Sequence, residues 1–240
     1  MDKKTFSIVF FWVGENISIP TFLVNSIKIV MGDKTKVVQL TNLDTEKVPG
    51  VTSVQRFNLS DDIMIARLQA YAKFENETDY NFYCDADCVF INKLSLPNDN
   101  KNIFISPRQN DFIIDFTYPE FYEEFIDKTA NQVMPYLFGA LATKGDQKEF
   151  FNKLLNICLD LPKRFHRWYG DQYALFLLTK DNLEYYGILD PFIYQHVINE
   201  RQSTYYLETL QRNKVQMLHF KGPDSKFLLE SAIEFLEKKS

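Results

Sequence analysis

Strand-like and helix-like segments alternate through the first ninety residues, and this alternation limits the fold more than any other feature of the sequence. Phe6 to Val13 is a continuous apolar run rich in β-branched and aromatic residues, which predicts a strand buried on both faces. The same patterns predict a helix from Ser18 to Gly32, strands at Lys36 to Leu40 and Thr52 to Phe57, a helix after Ser60-Asp61-Asp62, and a strand at Tyr80 to Cys84. Such alternation is typical of an α/β fold whose open, mostly parallel sheet is flanked by helices.

Both predicted helices begin at residues that commonly cap helices. Ser18 is the predicted N-cap of the first helix, with Pro20 in its first turn, and Gly32 ends it. The Ser60-Asp61-Asp62 segment is the predicted cap of the second helix, whose apolar face includes Ile65, Leu68, Ala72 and Phe74.

The second half of the sequence is less regular. It predicts strands at Ile103 to Ser106, Tyr185 to Leu189 and Val215 to Phe220, and helices at Asp146 to Leu159, Asp171 to Leu178 and Phe227 to Lys239. Because no linker rich in Gly, Ser or Pro divides the chain, we expect a single domain over residues 1–240.

Charge and cysteine content exclude several classes of protein. The net charge is −5 and no basic run is present, so no nucleic-acid partner is expected. Three cysteines give no disulfide framework, which favours a reducing, cytoplasmic setting, and Cys84 and Cys88 are interpreted as small packing residues. The apolar run near the N-terminus is too short to span a membrane. A peripheral membrane contact of the C-terminal helix stays open, although its Lys238-Lys239 end carries little charge.

Two carboxylates follow the last strand of the alternating region. Asp85 and Asp87 are separated by Ala86, and ligands of parallel sheets bind beyond the carboxyl ends of the strands. In a turn both carboxylates can reach one hard cation, which prefers oxygen ligands, and Ala86 leaves room for a ligand near the backbone. Such a cation can bridge a diphosphate. The alternative is a turn in which both aspartates only cap and solvate the chain.

A late segment, Met217 to Lys226, combines a histidine with a glycine turn and two lysines. His219 follows apolar residues, and imidazole is a good ligand for transition-type cations. Gly222 allows the backbone to approach phosphate oxygens, with which Lys221 or Lys226 could pair. A packed strand histidine is the alternative.

These segments resemble motifs of glycosyltransferases with the GT-A (Rossmann-like) fold. Asp85-Ala86-Asp87 resembles their metal motif, His219-Phe220-Lys221-Gly222 resembles the His-Phe-x-Gly motif of glycosyltransferase family 8, and Gly170-Asp171-Gln172 is similar to their Asp-Gln motif. The resemblance implies that Asp85, Asp87 and His219 bind Mn²⁺ (or Mg²⁺), which binds the donor diphosphate. It also implies that Asp171 and Gln172 lie near the transferred sugar. Residues 1–97 would then form a nucleotide-binding half, and residues 98–240 an acceptor and sugar half.

Further donor contacts are implied at positions around these motifs. They are Gly14, Arg67, Ala86, Gly139, Lys221, Gly222 and Lys226. For Arg67 the resemblance implies a role at the donor phosphates or a pair with Asp85, and a solvated helix face is the alternative. Two departures leave the donor sugar and the stereochemistry open. Lys226 lies four residues after Gly222 instead of three, and Phe138-Gly139-Ala140 lacks the family's Asn.

The function expected from these features is metal-dependent transfer of a sugar from a nucleoside-diphosphate sugar to a glycan or glycoconjugate, with retention favoured. One alternative is a phosphatase resembling the haloacid dehalogenases, in which Asp85 would be the nucleophile and Asp87 the acid. A nucleotidyltransferase would need a Gly-rich loop where only Gly14 stands. A binding module without catalysis would take the donor but not turn it over.

Overall fold

A seven-stranded sheet forms the centre of the protein. The computed structural model describes residues 5–97, 99–114, 119–198, 204–221 and 228–239. The strands of this sheet are β1 (Phe6–Phe11), β2 (Lys36–Thr41), β3 (Ser53–Arg56), β4 (Tyr80–Cys84), β6 (Ile103–Pro107), β7 (Tyr136–Lys144) and β8 (Gly187–Ile188). Their order is β3-β2-β1-β4-β7-β6-β8, and only β7 pairs antiparallel with its neighbours. The predicted open, mostly parallel sheet is confirmed.

Helices cover both faces of this sheet. The helices in the described part of the chain are α1 (Ser18–Met31), α2 (Ile63–Lys73), α3 (Tyr122–Phe125), α4 (Ala130–Val133), α5 (Lys148–Asp160), α6 (Lys163–Arg167), α7 (Gly170–Thr179), α8 (Pro191–Tyr194), α9 (Thr204–Arg212) and α10 (Leu228–Glu237). Short 3₁₀ turns lie at Pro119–Phe121 and Leu183–Tyr185. None of the helices within the described ranges combines the length and apolar character that a membrane span requires.

The first strand is apolar except for Ser7, and the packing of its two faces explains why. Val9 and Phe11 pack with residues of α2, α5 and α7, whereas Ile8 and Phe10 pack on the other face with residues of α1. Successive side chains of a strand point to opposite faces, so a strand between two helical layers needs apolar residues on both of its faces. One sheet takes strands from both parts of the chain, which gives a single α/β domain. The division at residue 97 stays a prediction.

A second, smaller sheet lies beside the first. It contains β5 (Cys88–Phe90), β9 (His196–Ile198) and β10 (Met217–Phe220), in the order β5-β10-β9. The central strand β10 runs antiparallel to β5 and parallel to β9. Residues of α9 and α10 pack with this sheet in a separate apolar cluster.

The predicted caps are wrong in their hydrogen bonds. Ser18 is the first residue of α1, where Ile17 is the N-cap, and the Ser18 hydroxyl donates to Asn16 Oδ1 instead of accepting from the helix. Asp62 is the N-cap of α2, but its side chain accepts no hydrogen bond from that helix. Its carboxylate lies 3.3 Å from Arg167 Nε, so a distant ion pair replaces the local cap.

The predicted strand from Tyr185 to Leu189 is shorter in the structure. Its first residue belongs to the 3₁₀ turn, and only Gly187 and Ile188 pair with β6. A Cβ on Gly187 would lie 2.2 Å from the ring of Phe104. The pairing of β8 with β6 therefore needs glycine at position 187. Because glycine weakens a strand, it also favours a short one here.

Candidate functional site

The two carboxylates lie at the sheet edge where the sequence places them. Asp85 directly follows β4, and its backbone N–H donates to the carbonyl of Gly139 in β7. Ala86 and Asp87 complete a turn, and β5 begins at Cys88. The turn thus joins the large sheet to the small one.

The small sheet brings His219 to this turn. His219 lies opposite Cys88 in the ladder between β10 and β5, and the Phe220 backbone N–H donates to the Asp87 carbonyl at 3.0 Å. His219 Nε2 is 3.3 Å from Asp87 Oδ1 and 3.5 Å from Asp85 Oδ2. A histidine from a distant part of the sequence therefore lies close to both carboxylates.

These residues fit the divalent cation that the GT-A resemblance implies. Two carboxylates and one imidazole are a donor set suited to Mn²⁺ or Mg²⁺. Gly139 forms the floor of the site, because a Cβ there would lie 2.7 Å from Asp85 Oδ2 and 3.0 Å from His219 Cε1. The Cys88 sulfur is also near Asp87 and His219. Burial raises the pKa of this thiol well above its ordinary value, which favours the protonated form when no metal is bound.

Arg67 connects the carboxylate turn to α7. Its Nη1 donates to Asp85 Oδ1 at 2.7 Å, its Nη2 pairs with Asp171 Oδ2, and its guanidinium lies 5.0 Å from the centre of the Phe138 ring. The side chain is only 13% exposed. The structure shows the predicted pair between Arg67 and Asp85. The alternative prediction, that Arg67 lies on a solvated helix face, is wrong.

The two residues of the Asp-Gln motif lie at different depths. Asp171 is fully buried, and its Oδ1 accepts the backbone N–H of Gln172 at 2.7 Å. Gln172 lines the cavity described below, and its Oε1 accepts from Arg108 Nη2 at 2.6 Å. Asp171 contributes no surface to that cavity and contacts Arg67 instead. Its predicted contact with a sugar stays a prediction.

A cavity of about 760 Å³ opens over the carboxylate turn. Its walls come from the end of β1, the start of α2, the segment after β6, and the residues around α7 and β10. They are Phe11, Trp12, Val13, Ile63, Met64, Arg67, Asp85, Ala86, Asp87, Arg108, Asn110, Phe112, Leu137, Trp168, Tyr169, Gln172, Val197, His219 and Lys221. This volume suits a ligand the size of a nucleotide sugar.

Lys221 brings a positive charge to the cavity wall. Burial and the nearby Arg108 guanidinium lower the pKa of its ammonium to about 8, while Asp85 and Asp87 act in the opposite direction. The ammonium is therefore mostly protonated at neutral pH, although it is poorly solvated. A cation in that state favours an anionic partner.

The other predicted donor-binding positions differ in placement. Ala86 is buried and lines the cavity. At the end of β1 the wall consists of Phe11, Trp12 and Val13, whereas Gly14 donates its backbone N–H to Thr45 Oγ1 at 3.1 Å. Its role in donor binding stays a prediction. Gly222 and Lys226 lie outside the described residues.

Sequence patterns did not indicate Arg108, Gln195 or Trp12. Arg108 is buried and donates to the Met134 carbonyl as well as to Gln172. Gln195 lies beside His219, with its Nε2 3.0 Å from His219 Nδ1. A Gly-Asp-Gln motif in one segment gives no signal for a partner arginine 64 residues away.

Gly139→Ala is expected to weaken metal binding and to lower the free energy of unfolding by about 1–3 kcal/mol. The new methyl group would overlap Gln195 Nε2 and Asp85 Oδ2, at 2.3 and 2.7 Å. Titration with Mn²⁺ and thermal unfolding test this result. Gly145→Ala is the control, because its Cβ meets open space and only its φ of +63° opposes the change. That variant should lose stability but bind Mn²⁺ normally; equal binding by both variants would contradict the expectation.

Three solved structures that resemble this chain are glycosyltransferases. The WbbM bifunctional glycosyltransferase matches with a TM-score of 0.60 and 15% identity, over 98% of this chain and 50% of that chain. A glycosyltransferase involved in glycosylation of the major capsid of PBCV-1 matches with a TM-score of 0.58 and 12% identity, over 96% and 98%. Galactosyltransferase LgtC, in complex with donor and acceptor sugar analogs, matches with a TM-score of 0.61 and 13% identity, over 97% and 95%.

The chain has the GT-A fold. It spans half the length of the WbbM structure and nearly all of the other two. No protein-family model and no curated protein sequence matches it. At these levels of identity the GT-A likeness establishes the fold, and the activity must be argued from the site.

Proposed function

We propose that this protein is a metal-dependent glycosyltransferase that transfers a sugar from a nucleoside-diphosphate sugar to a glycan or glycoconjugate. One observation carries the proposal: the carboxylates of Asp85 and Asp87 both lie within 3.5 Å of His219 Nε2, beneath a cavity of about 760 Å³ in a GT-A fold. Such a constellation is suited to the diphosphate of a nucleotide sugar.

The site must stabilise the leaving group of the reaction, a nucleoside diphosphate. Asp85 and Asp87 supply carboxylate oxygens and His219 supplies Nε2 to hold Mn²⁺ or Mg²⁺. When bound, the cation neutralises the negative charge that builds on the departing nucleoside diphosphate. Lys221 adds a second positive charge on the same cavity wall.

The sugar side of the site involves Gln172 and Arg67. Arg108 holds the Gln172 carboxamide oxygen, which leaves the amide N–H groups of Gln172 to donate to sugar hydroxyls. Arg67 lines the cavity and is held by Asp85 and Asp171. We therefore assign Asp171 to fixing Arg67 and the start of α7.

Retention at the anomeric carbon is part of the proposal. An inverting enzyme needs a general base beside the acceptor, and Asp171 is the residue that the motif would offer. Its carboxylate is fully buried, and both of its oxygens already have partners in Gln172 and Arg67. Such a carboxylate is unsuited to accept a proton from an acceptor, which favours retention.

The phosphatase alternative is not favoured by the site. A nucleophilic Asp85 would need a free carboxylate oxygen, but Oδ1 accepts from Arg67 and Oδ2 faces His219. A binding module without turnover makes a different prediction, because it takes the donor and releases no nucleoside diphosphate.

A thermal-shift panel of nucleoside diphosphates and nucleotide sugars, each with and without Mn²⁺, tests the proposal. The matching nucleotide should stabilise the protein by about 2.7 kcal/mol at a hundred times its dissociation constant, and only when Mn²⁺ is present. Incubation with the matching sugar donor should then release nucleoside diphosphate slowly. Donor binding without release of nucleoside diphosphate would favour the binding module. Thermal stabilisation by the nucleotide that is the same with and without Mn²⁺ would contradict the metal site.

A further inference from the structure

Gln195 is a fully buried polar residue, and only one of the two polar atoms of its side chain has a hydrogen-bond partner among the described residues. Its Nε2 lies 3.0 Å from His219 Nδ1, and both residues are buried. Its Oε1 is also buried and has no hydrogen-bond partner among the described residues. A buried amide oxygen without a partner is costly, so this orientation of the amide calls for an explanation.

The fold holds Gln195 firmly in this place. Gln195 follows the end of α8, and its backbone N–H donates to the carbonyl of Pro191, the first residue of that helix. The next residue begins β9, which pairs with the strand of His219. On the other side the backbone of Gly139 makes room for the amide, since a Cβ there would lie 2.3 Å from Gln195 Nε2. The positions of α8, β9 and Gly139 in β7 therefore keep this carboxamide next to the His219 imidazole.

The orientation of the amide decides which ring nitrogen of His219 carries the proton. If Gln195 Nε2 donates to Nδ1, the proton of the neutral ring sits on Nε2, which faces Asp85 and Asp87. An Nε2 that carries a proton cannot bind a cation. A half-turn of the amide exchanges its nitrogen and oxygen, which have nearly the same shape.

We propose that Gln195 is a positioning residue that presents its carboxamide oxygen to the Nδ1–H of His219. This contact keeps Nε2 unprotonated, so that it can bind the cation. This inference rests on the proposed metal site. Histidines that bind metals commonly donate their other ring N–H to an acceptor, which fixes the tautomer and the ring orientation. The half-turn also gives Oε1 the Nδ1–H as a partner and moves the amide nitrogen to the place that Oε1 occupied.

Two variants separate this role from simple packing. Gln195→Met keeps the length and volume of the side chain but removes the acceptor, whereas Gln195→Glu keeps an acceptor that no rotation can replace by a donor. Gln39→Met is the matched control. Gln39 is equally buried, but its amide bonds the Glu46 carbonyl and the Val48 N–H at 2.9 and 2.8 Å, away from the site.

Mn²⁺ alone is the probe, and electron paramagnetic resonance of the unbound ion measures its affinity without turnover. Gln195→Met should weaken Mn²⁺ binding about 10–100-fold, the usual effect of losing such a partner. Gln195→Glu should bind at least as tightly as the native protein. Gln39→Met should lose stability and keep its Mn²⁺ affinity.

Nuclear magnetic resonance of ¹⁵N-histidine in the native protein gives a reading that needs no variant. The chain has three histidines, so the His219 imidazole can be assigned by comparison with His219→Ala. With saturating Zn²⁺ as a diamagnetic probe, the His219 proton should sit on Nδ1, and the Nε2 signal should shift as a ligated nitrogen does.

The outcomes distinguish this inference from the function on which it rests. If the native protein binds no Mn²⁺, the proposed metal site fails, and the role of Gln195 fails with it. If native protein and Gln195→Met bind Mn²⁺ equally, only the role of Gln195 is overturned. A proton on Nε2 in the Zn²⁺-bound protein overturns it too, even if Gln195→Met does not fold.

Discussion

Replacing Asp87 with alanine should abolish sugar transfer while the protein stays folded. The substitution removes the carboxylate that lies 3.3 Å from His219 Nε2, and with it one of three proposed cation ligands. Loss of the charge that balances a departing diphosphate should lower the rate by on the order of 10³-fold or more. The Asp87 side chain is 17% exposed and sits in a turn, so the core stays intact.

The measurement is Mn²⁺-dependent release of nucleoside diphosphate from the donor that the thermal-shift panel identifies. Asp146→Ala is the control, because Asp146 follows the end of β7 at the opposite edge of the sheet and is 56% exposed. The control should keep full activity. Full activity of Asp87→Ala in the same assay, with unchanged Mn²⁺ dependence, would remove the basis of the assigned site.

Replacing Arg67 with methionine should destabilise the protein more than any other single change at the site. Arg67 neutralises Asp171, a carboxylate with no solvent exposure, and also holds Asp85. Removal of one partner leaves the other charge buried without compensation, which costs about 3–5 kcal/mol. Denaturant unfolding monitored by circular dichroism should show this as a lower midpoint.

A double substitution tests the cause. Arg67→Met combined with Asp171→Asn removes both charges and should recover much of the lost stability, because a neutral pair needs no compensation. Arg164→Met is a control for the loss of an arginine. Arg164 pairs with Glu123 and Glu124 but is 32% exposed, so about 0–1 kcal/mol is expected. Equal destabilisation by the Arg67 and Arg164 variants would show that burial of the ion pair does not matter.

The parts of the fold that local pattern determines could be predicted from the sequence. The strands β1 and β4 are apolar except for Ser7 and Asn81, and this pattern also placed the Asp85–Asp87 turn at the sheet edge. His219 was found because its strand ends in a distinctive motif. Its approach to the aspartates rests on the pairing of β5 with β10, a contact between distant segments.

The longest strand of the sheet was not predicted. β7 has the sequence YLFGALATK, in which Ala and Gly weaken the strand pattern. Those small residues are explained by tertiary contacts, since Gly139 lies against Asp85, His219 and Gln195. Arg108 and Gln195 were missed for the same reason, because their partners are 64 and 24 residues away in sequence.

The junction of the two sheets has a mechanical consequence. Asp85 ends β4 of the large sheet, whereas His219 belongs to β10 of the small one. An ion shared by these side chains would link the two sheets at the short turn where the chain passes from one to the other. Chelation should therefore loosen the small sheet first, and its amides should exchange with deuterium sooner than those of β1 and β4.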